Sequence, residues 1–235
     1  MSNANGRLLS VRLSVDYPGK PNAIDAVTFE LEPGGLLGLA GQSGSGKSTI
    51  ALALLRLVEL RGGRCRGSIY FEGVDLLALG ERQLRLIRGR RMALVMQSPA
   101  AALNPALRLE TQLREAWKTH SPVAWKLARR EVLLRFERLG LNDGEALLRR
   151  YPSEVSVGQA QRVVIAMAAL HRPALIIADE PTSALDPATR GEIVELFASL
   201  NREHGVAVLF ISHDLESMHR LCPRVCVLEE GRRIA

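Results

Sequence analysis

Aromatic residues make up only 4% of this 235-residue chain, so any core must be aliphatic, built from Leu, Ile, Val and Ala. Such residues are plentiful: hydrophobic types reach 47%, enough for a sizeable core in one large or two small domains. That composition excludes a disordered chain. Cysteine is scarce. Cys65, Cys222 and Cys226 are odd in number and fit no zinc spacing, and Pro223 separates the last two. They read as buried or free thiols of a reducing compartment. No uninterrupted apolar stretch reaches the roughly 18 residues that mark a membrane span. Residues 1–7 lack the apolar centre of a signal peptide. The chain therefore reads as soluble, and any membrane work would need spans from other subunits. Internal repeats and low-complexity tails are also absent.

What is abundant is arginine. The formal net charge is +6, concentrated over residues 56–66, 82–91 and 129–138. A basic balance admits nucleic acid, an anionic membrane surface or an acidic partner. Each run is interleaved with apolar residues at helical spacing, so solvated helix faces are the expected reading.

Residues 8–17 and 24–31 alternate apolar with polar, the pattern of half-buried antiparallel strands. Pro33-Gly34-Gly35 marks a turn. Residues 36–40 form a short apolar run ending at Gly41, a buried strand, and residues 48–60 then have helical periodicity. Further along, residues 67–71 predict a strand, 81–90 a basic helix and 92–96 a buried strand ending at Gln97. Residues 98–104 read as an Ala-rich loop closed by Asn104-Pro105. The pattern is helical from 109 to 148, with breaks near Ser121-Pro122 and Gly140, and again from 158 to 170. Strands at 175–178, 206–211 and 225–229 alternate with helices at 187–204 and 215–221, the 225–229 strand being the last. The fold class is thus α/β: a mainly parallel sheet with helices on both faces, an antiparallel β subdomain and an inserted all-helical subdomain over about residues 98–170, all within one domain spanning 1–235.

The chemistry gathers at strand ends. Gly41-Gln42-Ser43-Gly44-Ser45-Gly46-Lys47-Ser48, followed by Thr49, is a complete phosphate-binding loop between a strand and a helix, the arrangement of a P-loop NTPase core. Its glycines let the backbone take unusual angles and approach phosphate oxygens. Successive N–H groups and the helix N-terminus favour an anion there. Lys47 suits the β- and γ-phosphates of ATP, and the Ser48 hydroxyl suits Mg²⁺, which prefers hard oxygen donors. Leu175-Ile176-Ile177-Ala178-Asp179-Glu180 delivers two carboxylates to a strand's C-terminal edge, where open α/β sheets bind ligands. Asp179 there fits a metal-holding role and Glu180 a general base for the attacking water. Ile211-Ser212-His213-Asp214 ends another buried strand, with His213 facing the γ-phosphate. Gln97 ends a fourth, within reach of Mg²⁺ or the water. Taken singly, each of these strand ends is ordinary. Four of them at one sheet edge are not.

In this order the motifs resemble the nucleotide-binding subunit of an ATP-binding cassette (ABC) transporter over nearly the whole chain. The matching residues are Tyr17, the phosphate loop, Gln97, the signature Val155-Ser156-Val157-Gly158-Gln159, Asp179-Glu180, Ser183-Ala184-Leu185-Asp186 and His213. Ile87-Arg88-Gly89, Met96-Gln97-Ser98-Pro99, Leu103-Asn104-Pro105 and Tyr151-Pro152-Ser153-Glu154 are similar to the oligopeptide, dipeptide and nickel importer subgroup. The resemblance implies that Tyr17 stacks on adenine. It also implies that Ser156, Gly158, Gln159 and Asp186 complete the ATP site of an opposite cassette. The implied partners are a second cassette, identical or not, two membrane permeases met through the loop after Gln97, and, indirectly, an extracytoplasmic solute-binding protein. The implied location is peripheral, on the cytoplasmic face of the cell membrane, with no nucleic acid bound.

Two features depart from the pattern. Val157 stands where the family has glycine, and a β-branched residue resists positive φ and crowds a phosphate. A weakened site, as in an asymmetric heterodimer, is one expectation; a harmless helix-like Val157 is the other. The sequence ends at Arg233-Ile234-Ala235, where subgroup members usually carry a tail, so no tail-borne site is inferred. Rival classes are a soluble cassette ATPase acting on nucleic acid or ribosomes, which the basic charge admits, and a small-molecule kinase, against which the signature argues.

Overall fold

A computed structural model describes residues 6–235. Most of the 1–7 segment read for a signal peptide lies outside the described residues. Two sheets organise the chain. The first is antiparallel, in the order β2-β1-β4-β5, from β1 (Leu9–Tyr17), β2 (Lys20–Leu31), β4 (Arg64–Phe71) and β5 (Val74–Asp75). The alternation of β1 is obeyed: Leu9, Val11, Leu13 and Val15 point inward and are buried, while Arg12 is exposed. The second sheet has six strands in the order β10-β9-β3-β8-β7-β6. They are β3 (Leu36–Gly41), β6 (Met92–Val95), β7 (Leu175–Asp179), β8 (Ala207–Ile211), β9 (Arg224–Glu229) and β10 (Arg232–Arg233). All pairs are parallel except β9 with β10.

The continuous apolar runs of β7 and β8 follow from burial on both faces. Leu175 and Ile177 pack with β1, β2 and α1 (Lys47–Leu54). Ile176 and Ala178 pack on the opposite side, with α7 (Val157–Ala169) and α8 (Pro187–His204). On that second side Phe197 meets Phe210 edge to face, their centroids 5.8 Å apart. Between β6 and β7 the chain is helical: α4 (Leu109–His120), α5 (Trp125–Arg138), α6 (Gly144–Arg149) and α7, with breaks near Ser121 and Gly140 as the sequence predicts. Helix α9 (Leu215–Leu221) follows β8.

Several expectations need correction. The helix after the phosphate loop ends at Leu54, not at residue 60. Arg56 takes φ 54, and Arg56 and Leu57 donate back to the carbonyls of Ala53 (2.9 Å) and Leu52 (2.8 Å). This is a Schellman closure with arginine where glycine is usual. Helix α2 (Glu81–Ile87) also stops early, because Arg88 turns extended and sends its guanidinium to the carbonyls of Leu55 (2.7 Å) and Arg56 (3.0 Å). The Ala-rich loop holds a short helix, α3 (Pro99–Ala102), started by a proline that needs no N–H there. The last strand is β10 rather than β9, with the turn at Glu230-Gly231 between them.

The arginine runs are not simply solvated faces. Arg56 donates to the carbonyls of Leu76 and Leu77, Arg135 to those of Ala169 and Leu170, and Arg162 to that of Leu139. Part of the positive charge thus serves carbonyls at helix and turn ends. All three cysteines are free thiols. Burial pushes Cys222 up to about 12 and Cys65 up to about 11, so neither is a ready nucleophile at neutral pH.

Candidate functional site

Strands β3, β7 and β8 run parallel and adjacent, so their C-terminal ends emerge at one edge. Gly41 ends β3 and α1 begins at Lys47, so residues 42–46 must turn in little space. Gly46 caps the helix at φ 103, and a β-carbon there would run into Ile24. Only glycine meets both conditions. The Lys47 side chain is buried, and its ammonium donates to the carbonyls of Gly41 (2.8 Å) and Gln42 (3.0 Å). Gln42, Ser43 and Gly44 form the exposed crest of the loop, and Thr49 is half-buried in α1.

The Ser48 hydroxyl donates to the Asp179 carboxylate at 3.1 Å, joining residues 131 positions apart. Two hard oxygens side by side, one of them anionic, fit a divalent cation such as Mg²⁺. Burial raises the pKa of Asp179; the neighbouring charge of Glu180 adds to this, while Ser48 and Lys47 oppose it. Glu180 is buried and adopts φ 50, uncommon for a side-chain-bearing residue. Its carboxylate lies between two partners: Oε1 is 3.8 Å from the Lys47 ammonium and Oε2 is 2.8 Å from His213 Nδ1. His213 itself is 63% exposed and open to the cleft.

The remaining candidates lie in three outlying places. Gln97 lies past the end of β6, exposed, and among the described residues its side chain bonds to none of the residues above. Tyr17 is half-buried at the end of β1, its ring lying over Gly63, where a β-carbon would come within 2.7 Å of the ring. Ser156 caps α7, accepting from the N–H of Gln159 at 3.2 Å, while the Gln159 side chain accepts from the N–H of Ser156 at 3.1 Å. Asp186 caps α8 in the same way through Thr189 (3.0 Å), and the Thr189 bonds hold its carboxyl below the usual range. The two helix starts touch: a β-carbon on Gly158 would approach the Thr189 methyl to 2.9 Å. Ser156, Gly158, Gln159 and Asp186 therefore gather around Thr189, and none of them bonds to residues 41–49.

Val157 is the first residue of α7, is 51% exposed and is not among the positive-φ residues. Of the two expectations for Val157, the helix-like backbone is the one seen, because the signature opens directly into α7. We expect Val157→Gly to cost roughly 0.5 kcal/mol through lower helix propensity, read as a slightly lower melting temperature, without gain in ATP turnover. A several-fold faster variant would reinstate crowding at the phosphate.

Sequence reading missed Gly231. Its N–H donates to the Ser45 carbonyl (3.0 Å) and its own carbonyl accepts from Asp25 (2.8 Å), bracing the phosphate loop from behind. Its signal was a glycine two residues past the end of β9. Arg190, behind Glu180, was likewise not singled out, and Ser183 entered only as the first residue of the Ser183-Ala184-Leu185-Asp186 match.

An ABC transporter family model matches residues 24–183. The chain is 42% identical over 230 residues to the peptidoglycan transport ATP-binding protein YejF of Agrobacterium fabrum, covering 96% of this chain and 42% of that protein. It is 36% identical over 231 residues to the oligopeptide transport ATP-binding protein OppD of Bacillus subtilis, covering 96% of this chain and 64% of that one. The chain thus spans about half the length of these curated relatives. Among solved structures it resembles the dimeric ATP-binding cassette MJ0796 in a post-hydrolysis state bound to ADP and Pi, with a TM-score of 0.82, 27% identity and 97% of each chain covered. With the phosphate loop, paired carboxylates and histidine converging on one sheet edge, the chain belongs to the ABC transporter family and is one of its ATP-binding domains.

Proposed function

We propose that this chain is the Mg²⁺-dependent ATPase of a membrane importer, powering uptake of peptides, nickel or similar small solutes through separate permeases. The observation that carries the reading is the continuous polar chain Ser48–Asp179 and Lys47–Glu180–His213 at the ends of adjacent parallel strands. The loop amides and Lys47 hold the triphosphate, with Lys47 trading its carbonyl partners for phosphate oxygens. Ser48 and Asp179 would hold the cation, with Gln97 past the end of β6 as a further oxygen donor. The cation, when bound, neutralises charge on the β- and γ-phosphate oxygens. Glu180 takes a proton from the attacking water while His213 holds the carboxylate in orientation. Tyr17 stacks on the adenine.

The signature residues Ser156, Gly158 and Gln159, with Asp186, serve a second cassette. They lie apart from their own phosphate loop, and an exposed capped helix start is a ready anion site. ATP then favours the closed pair and hydrolysis releases it, a population shift driven by differential binding. The whole chain acts as one domain, its residues 98–170 forming the helical subdomain that carries the signature. Among the described residues no helix is long and apolar enough to cross a membrane; the proposed place is peripheral, on the cytoplasmic face. The rival reading is disfavoured by the names of the relatives, which are transport proteins.

Purifying the tagged chain from gently solubilised native membranes tests the proposal. Two polytopic permeases and a second cassette are the expected companions. RNA or ribosomal proteins in their place would refute transport.

A further inference from the structure

Glu180 holds a left-handed backbone conformation, φ 50, that side-chain-bearing residues rarely adopt, and such strain persists only where surrounding structure over-determines it. The surrounding structure is a closed circuit. The Ser183 hydroxyl donates to the Glu180 carbonyl at 3.1 Å, and the Ser183 N–H reinforces it at 3.3 Å. From Ser183 the turn passes buried Thr182, whose carbonyl accepts from Leu185 (3.2 Å). The Leu185 carbonyl in turn accepts from the Arg190 guanidinium at 3.2 Å. The same guanidinium lies 3.5 Å from the Asp214 carboxylate. Asp214 is pinned by Ser217 (2.7 Å) and by Ser212, and it adjoins His213, which returns to the Glu180 carboxylate at 2.8 Å. The loop after β7 and the loop after β8 are therefore tied twice, once through the Glu180–His213 pair and once behind it through Arg190.

We propose that Ser183 and Arg190 are positioning residues for hydrolysis: Ser183 fixes the backbone of Glu180, and Arg190 fixes the spacing of the two loops that carry Glu180 and His213. Neither side chain is bonded to the phosphate loop, so nucleotide affinity does not depend on them. The inference rests on the reading of Glu180 as the general base. A buried carboxylate displaced by a fraction of an ångström loses rate without losing substrate, because alignment enters the chemical step alone.

The full-length chain carrying Ser183→Ala, Ser183→Thr, Arg190→Ala or Arg190→Lys is assayed for steady-state MgATP turnover, beside Glu180→Gln. Amide hydrogen exchange is measured on the nucleotide-free proteins over residues 180–185. The expected result is kcat lowered about tenfold in Ser183→Ala and Arg190→Ala, with KM within about twofold. Ser183→Thr restores most of the rate, Arg190→Lys restores part of it, and exchange over 180–185 is faster in both alanine variants. Parental kcat in Ser183→Ala, with turnover lost in Glu180→Gln, overturns the brace and leaves the base standing. Parental turnover in both overturns the base and the brace together. A rise in KM in step with a fall in melting temperature, unrescued by Ser183→Thr, reduces both residues to structural ones and overturns the proposal.

Discussion

Glu180→Gln is expected to cut ATP turnover about 100- to 1000-fold, the usual worth of a positioned general base, while leaving nucleotide affinity nearly intact. The geometry separates the two effects. Lys47 reaches Glu180 only at 3.8 Å and is already held by the carbonyls of Gly41 and Gln42. An amide of the same shape still offers an oxygen or N–H to His213, so the pair can keep its bond. What disappears is the carboxylate proposed to accept a proton from water at that point. A second consequence follows from charge. Asp179 is pushed up chiefly by burial but also by the negative charge of Glu180. Removing that charge makes Asp179 easier to ionise and, with it, easier to pair with a cation. The variant should therefore bind MgATP at least as well as the parent and accumulate an ATP-held dimer, measurable by light scattering with and without nucleotide. Undiminished turnover would remove Glu180 from the role of base.

The framework of this site was legible because buried parallel strands write themselves plainly. Leu175-Ile176-Ile177-Ala178 and Ala207-Val208-Leu209-Phe210-Ile211 are apolar throughout, and a strand buried on both faces must hand its next residues to the sheet edge. Glu180 and His213 were found for the same reason, at the ends of apolar runs, and Lys47 by the glycine-rich loop before it. Periodicity carries no information about where a guanidinium finds its acceptors. Arg56, Arg88 and Arg135 fit solvated helix faces by spacing, yet each satisfies carbonyls at the end of another element. The early end of α1 was hidden because its left-handed closing residue is Arg56 rather than glycine, and the stabilising partners lie some twenty residues away. Val157 left two backbones open by residue type, and the reciprocal cap of Ser156 and Gln159 sets it in ordinary helix. Local hydrogen bonding decided both cases, and it is only partly written in residue type.

Lys47→Ala should weaken MgATP binding at least about 100-fold, since hydrogen bonds to charged groups contribute roughly 1.5–3 kcal/mol each. The ammonium is buried at the head of α1, anchored to the carbonyls of its own loop and beside the two carboxylates of β7's end. Alanine removes the one cation among these groups. Asp179 and Glu180 then face a triphosphate with no fixed positive side chain between them, and the repulsion adds to the lost contacts. The same change leaves the carbonyls of Gly41 and Gln42 without their donor and Glu180 without its cationic neighbour, so stability should fall as well, by roughly 1–3 kcal/mol. Lys47→Arg separates the two losses. It keeps the charge, so folding should largely recover, but the planar fork replaces a compact ammonium held by the carbonyls of Gly41 and Gln42 and cannot reach the phosphates in the same way. Nucleotide titration by calorimetry, paired with thermal melting, reads both quantities on the same samples. Affinity within about threefold of the parent in Lys47→Ala, where a single charged hydrogen bond alone is worth more than tenfold, would mean that the loop holds phosphate through its backbone alone.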